Sequence, residues 1–109
     1  MTGTGKIVIF VTCGSEPEAH KIADQLLTNR KAACVNIVPR VESSFLWQGK
    51  LDSARESLLI IKTKASFLSA VVDLVKASHS YEVPEVIALP IVGGNVDYLQ
   101  WIDDEVRES

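Results

Sequence analysis

Basic residues are outnumbered: 11 lysines and arginines stand against 14 aspartates and glutamates, for a net charge of −3. With no basic stripe to neutralise phosphates, the electrostatic kind of nucleic-acid binder is excluded. An acidic chain also has no pull towards anionic membranes. No run of about 18 apolar residues occurs, so no helix is expected to span a bilayer. Met1 to Gly5 carries neither a basic stretch nor a small-residue cleavage site; it reads as a flexible N-terminus rather than a signal peptide. Two cysteines, Cys13 and Cys34, are too few for a disulfide framework and read as reduced thiols in a cytoplasmic protein. CxxC, HExxH, EF-hand and Walker patterns are all missing, as are repeats, linkers and low-complexity segments. Aromatics make up only 6%, so the core has to be aliphatic.

What is present suffices for a single domain, 1–109. The chain is 47% hydrophobic and 23% charged, a balance that buries a core and excludes bulk disorder. Lys6 to Thr12 is a run rich in β-branched residues and reads as a buried central strand. Ser15 with Glu18 forms a capping-box pattern, with Pro17 in the first turn, and opens a helix whose apolar positions are Ala19, Ile22, Ala23, Leu26 and Leu27. Ala33 to Val38 is a second strand, and Pro39 calls for a bulge. Val41 to Gln48 resumes an extended pattern with Phe45 and Trp47 on one side. Gln48-Gly49-Lys50 turns the chain, and a third strand returns through Leu58 to Ile61. Ser66 is positioned to cap a second helix bearing Leu68, Val71, Val72 and Val75. Val86 to Ile91 is the last strand, placed at an edge by Pro90. Asn95 caps a final helix with Tyr98, Leu99, Trp101, Ile102 and Val106 as its apolar positions. The order β-α-β-β-α-β plus a helix is the ferredoxin-like plan of an α+β fold: one antiparallel sheet with two helices on one face.

The hairpin is too long for its subunit. A compact chain of this length is roughly 33 Å across, from a radius of gyration of about 13 Å. Each arm has some fourteen residues and could reach ~46 Å at ~3.3 Å per residue. The arms therefore bend at Pro39 or project. A projecting arm carrying Phe45, Leu46 and Trp47 would expose apolar surface and strand edges, which a homo-oligomer would cover.

Chemistry concentrates in His79-Ser80-Tyr81-Glu82-Val83-Pro84-Glu85, between a helix and an edge strand. His79, Glu85 and Cys13 are ligand types preferred by a borderline or soft divalent ion, although a histidine after a helix more ordinarily caps carbonyl oxygens. Cys13 lies just before a helix N-terminus, and a packed thiol at a strand end is its ordinary role. His20 reads as exposed and Cys34 as structural. Lys62, ending an apolar strand, is either a snorkelling surface lysine or the partner of an anion. No catalytic residue is assigned. An acylphosphatase-like enzyme would need an arginine in an anion loop, and Arg30, Arg40, Arg55 and Arg107 lie in none.

Ala32-Ala33-Cys34-Val35-Asn36-Ile37, Pro39, Trp47-Gln48-Gly49-Lys50, Glu56, Ile61-Lys62-Thr63, the segment His79 to Glu85, and Tyr98-Leu99-Gln100-Trp101 follow one another in an order that resembles the CutA family of divalent-cation tolerance proteins. The resemblance runs from Ile7 to Trp101. It implies a ferredoxin-like fold, a homotrimer joined through the long hairpin, and no established enzymatic reaction. It further implies an association with divalent metals, copper among them. Carried over, His79 and Glu85 join Cys13 as candidate metal ligands, while Trp47, Glu56, Lys62 and Tyr81 line a cleft between subunits. Two departures stand out: Ser80 where proline is frequent, and Gly14 where proline is common. Two functions follow. One is a metal-responsive or signalling trimer with no required cofactor that binds Cu²⁺ or another divalent ion, its downstream protein partner unspecified. The other is a small-ligand sensor or scaffold, with an anion or organic molecule in the cleft and incidental metal binding.

Overall fold

The computed structural model describes residues 3–108. Eight elements run in the order β1 (Lys6–Cys13), α1 (Glu16–Thr28), β2 (Cys34–Trp47), β3 (Lys50–Lys64), a 3₁₀ turn (Ala65–Phe67), α2 (Leu68–Ser78), β4 (Val86–Pro90) and α3 (Val96–Glu105). The four strands form one antiparallel sheet in the order β2-β3-β1-β4. This is the ferredoxin-like arrangement, with β1 central and β4 at an edge. Pro90 ends β4 there, where a missing N–H costs no ladder bond. Of the expected flexible stretch 1–5, Met1 and Thr2 lie outside the described residues. Thr4 donates both its amide, at 3.0 Å, and its hydroxyl, at 2.8 Å, to the carbonyl of Ile91.

Strand alternation decides where the core sits. Along β1, Ile7, Ile9, Val11 and Cys13 point to one face and are buried. Leu59 and Ile61 of β3 join them. Ala19, Ile22, Ala23 and Leu26 of α1, with Val71 and Val75 of α2, close over this face. Each fully buried aliphatic side chain of this layer contributes about 1.5–3 kcal/mol. Ser15 caps α1 as its spacing predicts, its hydroxyl accepting the amide of Glu18 at 3.3 Å.

On the opposite face α3 reaches only one end, where Asp103 pairs with Lys6 and Tyr98 lies beside Cys34; towards Phe10 and Ile87 no helix of the described residues is packed over the sheet. Cross-strand register builds this face in rows: Cys34, Lys62, Val8 and Leu89, then Asn36, Ile60, Phe10 and Ile87. Leu89 and Ile87 are 46% and 51% exposed, high values for such residues on a strand.

The hairpin both bends and projects. Val38 pairs with Leu58 and Val41 with Glu56, so Pro39 and Arg40 together bulge opposite Ser57. Arg40 takes a left-handed φ of 59° to make the bend. Beyond it, residues 50–56 of β3 pair with β2 alone, because β1 reaches only to Ser57. Gln48 and Gly49, at φ 52° and 81°, form the two-residue turn, the positive-φ pair that suits the twist of a hairpin. The longest dimension is 44 Å and the radius of gyration 14.4 Å, above the compact expectation.

Two local expectations are corrected. Ser66 does not cap α2; it lies inside the 3₁₀ turn, and the helix begins at Leu68 with no side-chain cap. The amide of Ala65 is taken by the carbonyl of Gly5 at 2.8 Å, which draws this turn onto the sheet end and delays the helix. On α3, Ile102 is buried, and Val106 just past its end packs with it against Phe67 and Ala33, but Tyr98 and Trp101 are 40% and 38% exposed. Their rings pack on each other at 5.4 Å. Salt bridges Lys6–Asp103 (2.7 Å) and Arg30–Glu105 (2.5 Å) fasten this helix.

Candidate functional site

The register of β1 with β4 ends at Val11↔Val86. The next carbonyl, Thr12, takes its donor from His79 Nε2 at 2.7 Å. His79 Nδ1 accepts the amide of Tyr81 at 3.0 Å. An amide can only donate and a carbonyl can only accept, so this pair of contacts assigns the neutral tautomer with its proton on Nε2. Its side chain is fully buried. His79 thus follows α2 directly and joins the 79–85 segment to the end of the central strand.

Glu18, on the first turn of α1, reaches the same loop. Its carboxylate accepts the Ser80 amide at 2.5 Å and the Ser80 hydroxyl at 3.1 Å. A full capping box would turn this carboxylate back to the Ser15 amide; only the Ser15-hydroxyl half of the box forms, and the carboxylate serves Ser80 instead. Cys13 ends β1 beside them, fully buried. Burial first, then the charges of Glu18 and Glu56, push its thiol up from 9.0 to about 12. One donor atom from each of Cys13, Glu18 and His79 lies within 4.8 Å of the others. Of the three candidate ligands, then, Cys13 and His79 meet. Glu85 is not in this group and its Oε1 accepts the Thr12 hydroxyl at 3.4 Å.

Three of the four candidate cleft residues also meet. Tyr81 donates its phenol to Glu56 Oε2 at 2.9 Å. Burial, then the bond to Glu56, raises that phenol from 10.0 to about 12. Gly14 leaves the space for the ring: a Cβ there would stand 3.2 Å from the Tyr81 oxygen. Phe45, Trp47, Asp52 and Glu56 share one face of the hairpin by register, and with Tyr81 and Glu82 they line a recess of about 310 Å³. Lys62 does not line it. Its ammonium bonds Asn36 Oδ1 and lies 3.9 Å from Cys34 Sγ, on the face of the sheet opposite α1 and α2. Cys34 is half-buried there. The phenol of Tyr98 is raised by burial and by that thiol beside it.

Sheet order, projecting hairpin and the buried cysteine–glutamate–histidine cluster define a ferredoxin-like protein built to present one strand pair beyond its own core. The family model described as CutA1 divalent ion tolerance protein matches residues 7–105. Chloroplastic Protein CutA 1 of Oryza sativa subsp. japonica is 48% identical over 108 residues, 99% of this chain and 61% of that protein. The divalent-cation tolerance protein CutA of Archaeoglobus fulgidus is 45% identical over 99 residues, 91% of this chain and 96% of that one. A crystal structure of CutA1 from Oryza sativa superposes with a TM-score of 0.93 at 48% identity, covering 100% of both chains. The chain spans only 55–61% of the length of the plant and human relatives. The chain belongs to the CutA1 divalent ion tolerance family.

Proposed function

We propose that this protein is a homotrimeric, non-enzymatic divalent-cation tolerance protein that binds a divalent metal such as copper in a metal-response or signalling role. The observation that carries the metal reading is the convergence of Cys13, Glu18 and His79 within 4.8 Å. Thiolate, carboxylate and imidazole suit Cu²⁺ or Zn²⁺. The donor types fit, but the site stands closed. Both imidazole nitrogens are already bonded, and the thiol keeps its proton. Uptake therefore frees one ring nitrogen, moves the 79–85 segment and releases the Cys13 proton, so binding is coupled to a conformational change and to pH.

Assembly is supported by the uncovered row of Ile60, Phe10 and Ile87 and by the bare hairpin, where Leu46 and Leu51 are 73% and 80% exposed. A second copy of the same chain offers matching apolar surface and unpaired strand edge. The two free cysteines are consistent with the cytoplasm as the compartment. Relatives carry other labels: the rice protein is named chloroplastic and an Archaeoglobus fulgidus structure periplasmic.

A second reading is favoured by the recess at Trp47, Glu56 and Tyr81, which gives the trimer a small-molecule site independent of the metal cluster. Native mass spectrometry of the purified chain, with and without one equivalent of Cu²⁺, tests both. A trimer that saturates at three coppers supports the first reading. A trimer with scattered, non-saturating copper counts favours the second. A monomer overturns the assembly.

A further inference from the structure

We propose that the hairpin recess binds a primary alkylammonium ion, with its ammonium on Glu56 and its methylenes against Trp47, Phe45 and Tyr81. The inference rests on the small-ligand reading of this cleft and fixes the sign and chemistry of the ligand, which that reading left open between an anion and an organic molecule.

Charge comes first. Asp52, Glu56 and Glu82 line the recess, and Glu42 and Glu85 line its continuation towards Thr12. No lysine or arginine lines either part. The nearby basic residues lie outside the lining: Lys50 stands opposite Trp47 at the hairpin tip, Arg55 lies 3.9 Å from Glu42 on the exposed arm, and Arg40 and Arg55 face a separate cavity beside Gly14. Such a wall repels anions and draws cations.

Glu56 supplies the anchor. It is 8% exposed, yet only Oε2 is engaged, by Tyr81; Oε1 takes no hydrogen bond from any described residue. No side-chain oxygen in the described residues is both sealed from solvent and without a partner, so Oε1 keeps contact with solvent, and Glu56 is part of the recess wall. A buried carboxylate oxygen left open wants a charged N–H donor.

The apolar wall selects the kind of cation. Two hairpin aromatics and the Tyr81 ring favour an ammonium carrying hydrocarbon over a bare ion. A metal ion is disfavoured by geometry. Among the described residues, the group of three acidic, cysteine or histidine side chains within ligand reach of one another is Cys13, Glu18 and His79, and none of the recess carboxylates belongs to it. A quaternary ammonium would satisfy the rings but bring no N–H to Oε1.

The test is a chemical-shift titration of the intact protein with butylammonium, butyrate and tetramethylammonium in parallel. Trp47 is the reporter and Trp101, the other of the two tryptophans, the internal control. Saturable shifts of the Trp47 indole with butylammonium are expected, with Trp101 unmoved and tetramethylammonium at least threefold weaker. Glu56→Gln keeps an oxygen for the Tyr81 phenol and should weaken butylammonium at least tenfold. Asp52→Asn, which keeps an oxygen for the Ser53 amide, should weaken it twofold to fivefold. Saturable binding of butyrate with none of butylammonium overturns the inference and leaves the small-ligand reading intact. Absence of saturable binding by all three probes overturns both. Butylammonium shifts that are indifferent to both substitutions mean surface screening alone and overturn the inference.

Discussion

The phenol of Tyr81 donates to Glu56 Oε2 at 2.9 Å, joining the loop after α2 to the point where the hairpin leaves the sheet. It is the bond that fixes one wall of the recess to the other. Without the phenol, Glu56 would remain a buried carboxylate with both oxygens unserved by the described residues. Tyr81→Phe is expected to destabilise the fold by about 1–3 kcal/mol, the cost of leaving a buried acceptor without its partner. Urea unfolding at fixed chain concentration measures it; a midpoint equal to that of the parent protein would show the bond to be idle.

Gly14 is bound to the same ring. A Cβ at that position meets the Tyr81 oxygen at 3.2 Å and its ring carbons at 3.5 and 3.6 Å. Gly14→Ala should push the ring off Glu56 and reproduce part of the Tyr81→Phe loss, and the double variant should lose less than the sum of the two singles. Strict additivity of the three unfolding midpoints would place the two residues in separate structural roles.

Alkaline stability follows from two raised groups. Tyr81 is held at about 12 against 10.0, chiefly by burial, and Cys13 at about 12 against 9.0, also chiefly by burial. Both bind their protons more tightly folded than unfolded. Their contribution is whole below pH 9, declines as the unfolded thiol and then the unfolded phenol ionise, and is gone above about 12. Unfolding midpoints should therefore fall between pH 9 and 12. In Tyr81→Phe the decline should be shallower above pH 10, and an unchanged slope would remove Tyr81 from the account.

The same burial separates the two thiols. Cys13 is sealed under the helices, whereas Cys34 lies half-buried between Lys62 and the Tyr98 phenol on the opposite face of the sheet. At pH 8 a disulfide reagent should modify one thiol per folded chain readily and the second only on unfolding. Cys34→Ser should abolish the fast reaction. Fast labelling that persists in that variant would mean Cys13 is reached in the folded state. Slow labelling of both thiols in the parent would show Cys34 covered, as assembly over that face would produce.

The fold was legible in the sequence because its signals are local. β1 was legible as a central strand from its unbroken apolar run, β4 as an edge from Pro90, and the bulge from Pro39. The helix starts at Ser15 and Asn95 follow from side chains that cap their own neighbours. Ser66 looked equally competent, and failed because the Ala65 amide is claimed by Gly5, sixty residues earlier in the chain. The site was less legible for the same reason. His79, Tyr81 and Glu56 stood out by residue type and family pattern, but Glu18 carried no sign that its carboxylate would hold the loop at Ser80. Ser80 itself, where a proline is frequent in the family pattern, earns a structural reason only in three dimensions: its amide is a donor that proline lacks. Lys62 was grouped with the cleft by the family resemblance, and the register carries it three rows away from Glu56, to Cys34 and Val8.

Metal affinity should report how the closed cluster opens. A thiolate ligand must first lose a proton held up to about 12, so between pH 6 and 8 the affinity for Cu²⁺ should rise about tenfold per pH unit on account of Cys13 alone. His79→Ala should weaken binding at least tenfold, about 1.4 kcal/mol. Glu18→Gln should weaken it less, since the amide oxygen remains a donor to the metal, though a neutral one. Glu85→Gln should leave it unchanged, because that side chain faces Thr12. Competition titrations against a chelator of known affinity, run across the pH range, separate these expectations. Affinity flat with pH would remove the thiol from the ligand set, and a loss on Glu85→Gln equal to that on His79→Ala would place the ion on the Thr12 side of the strand.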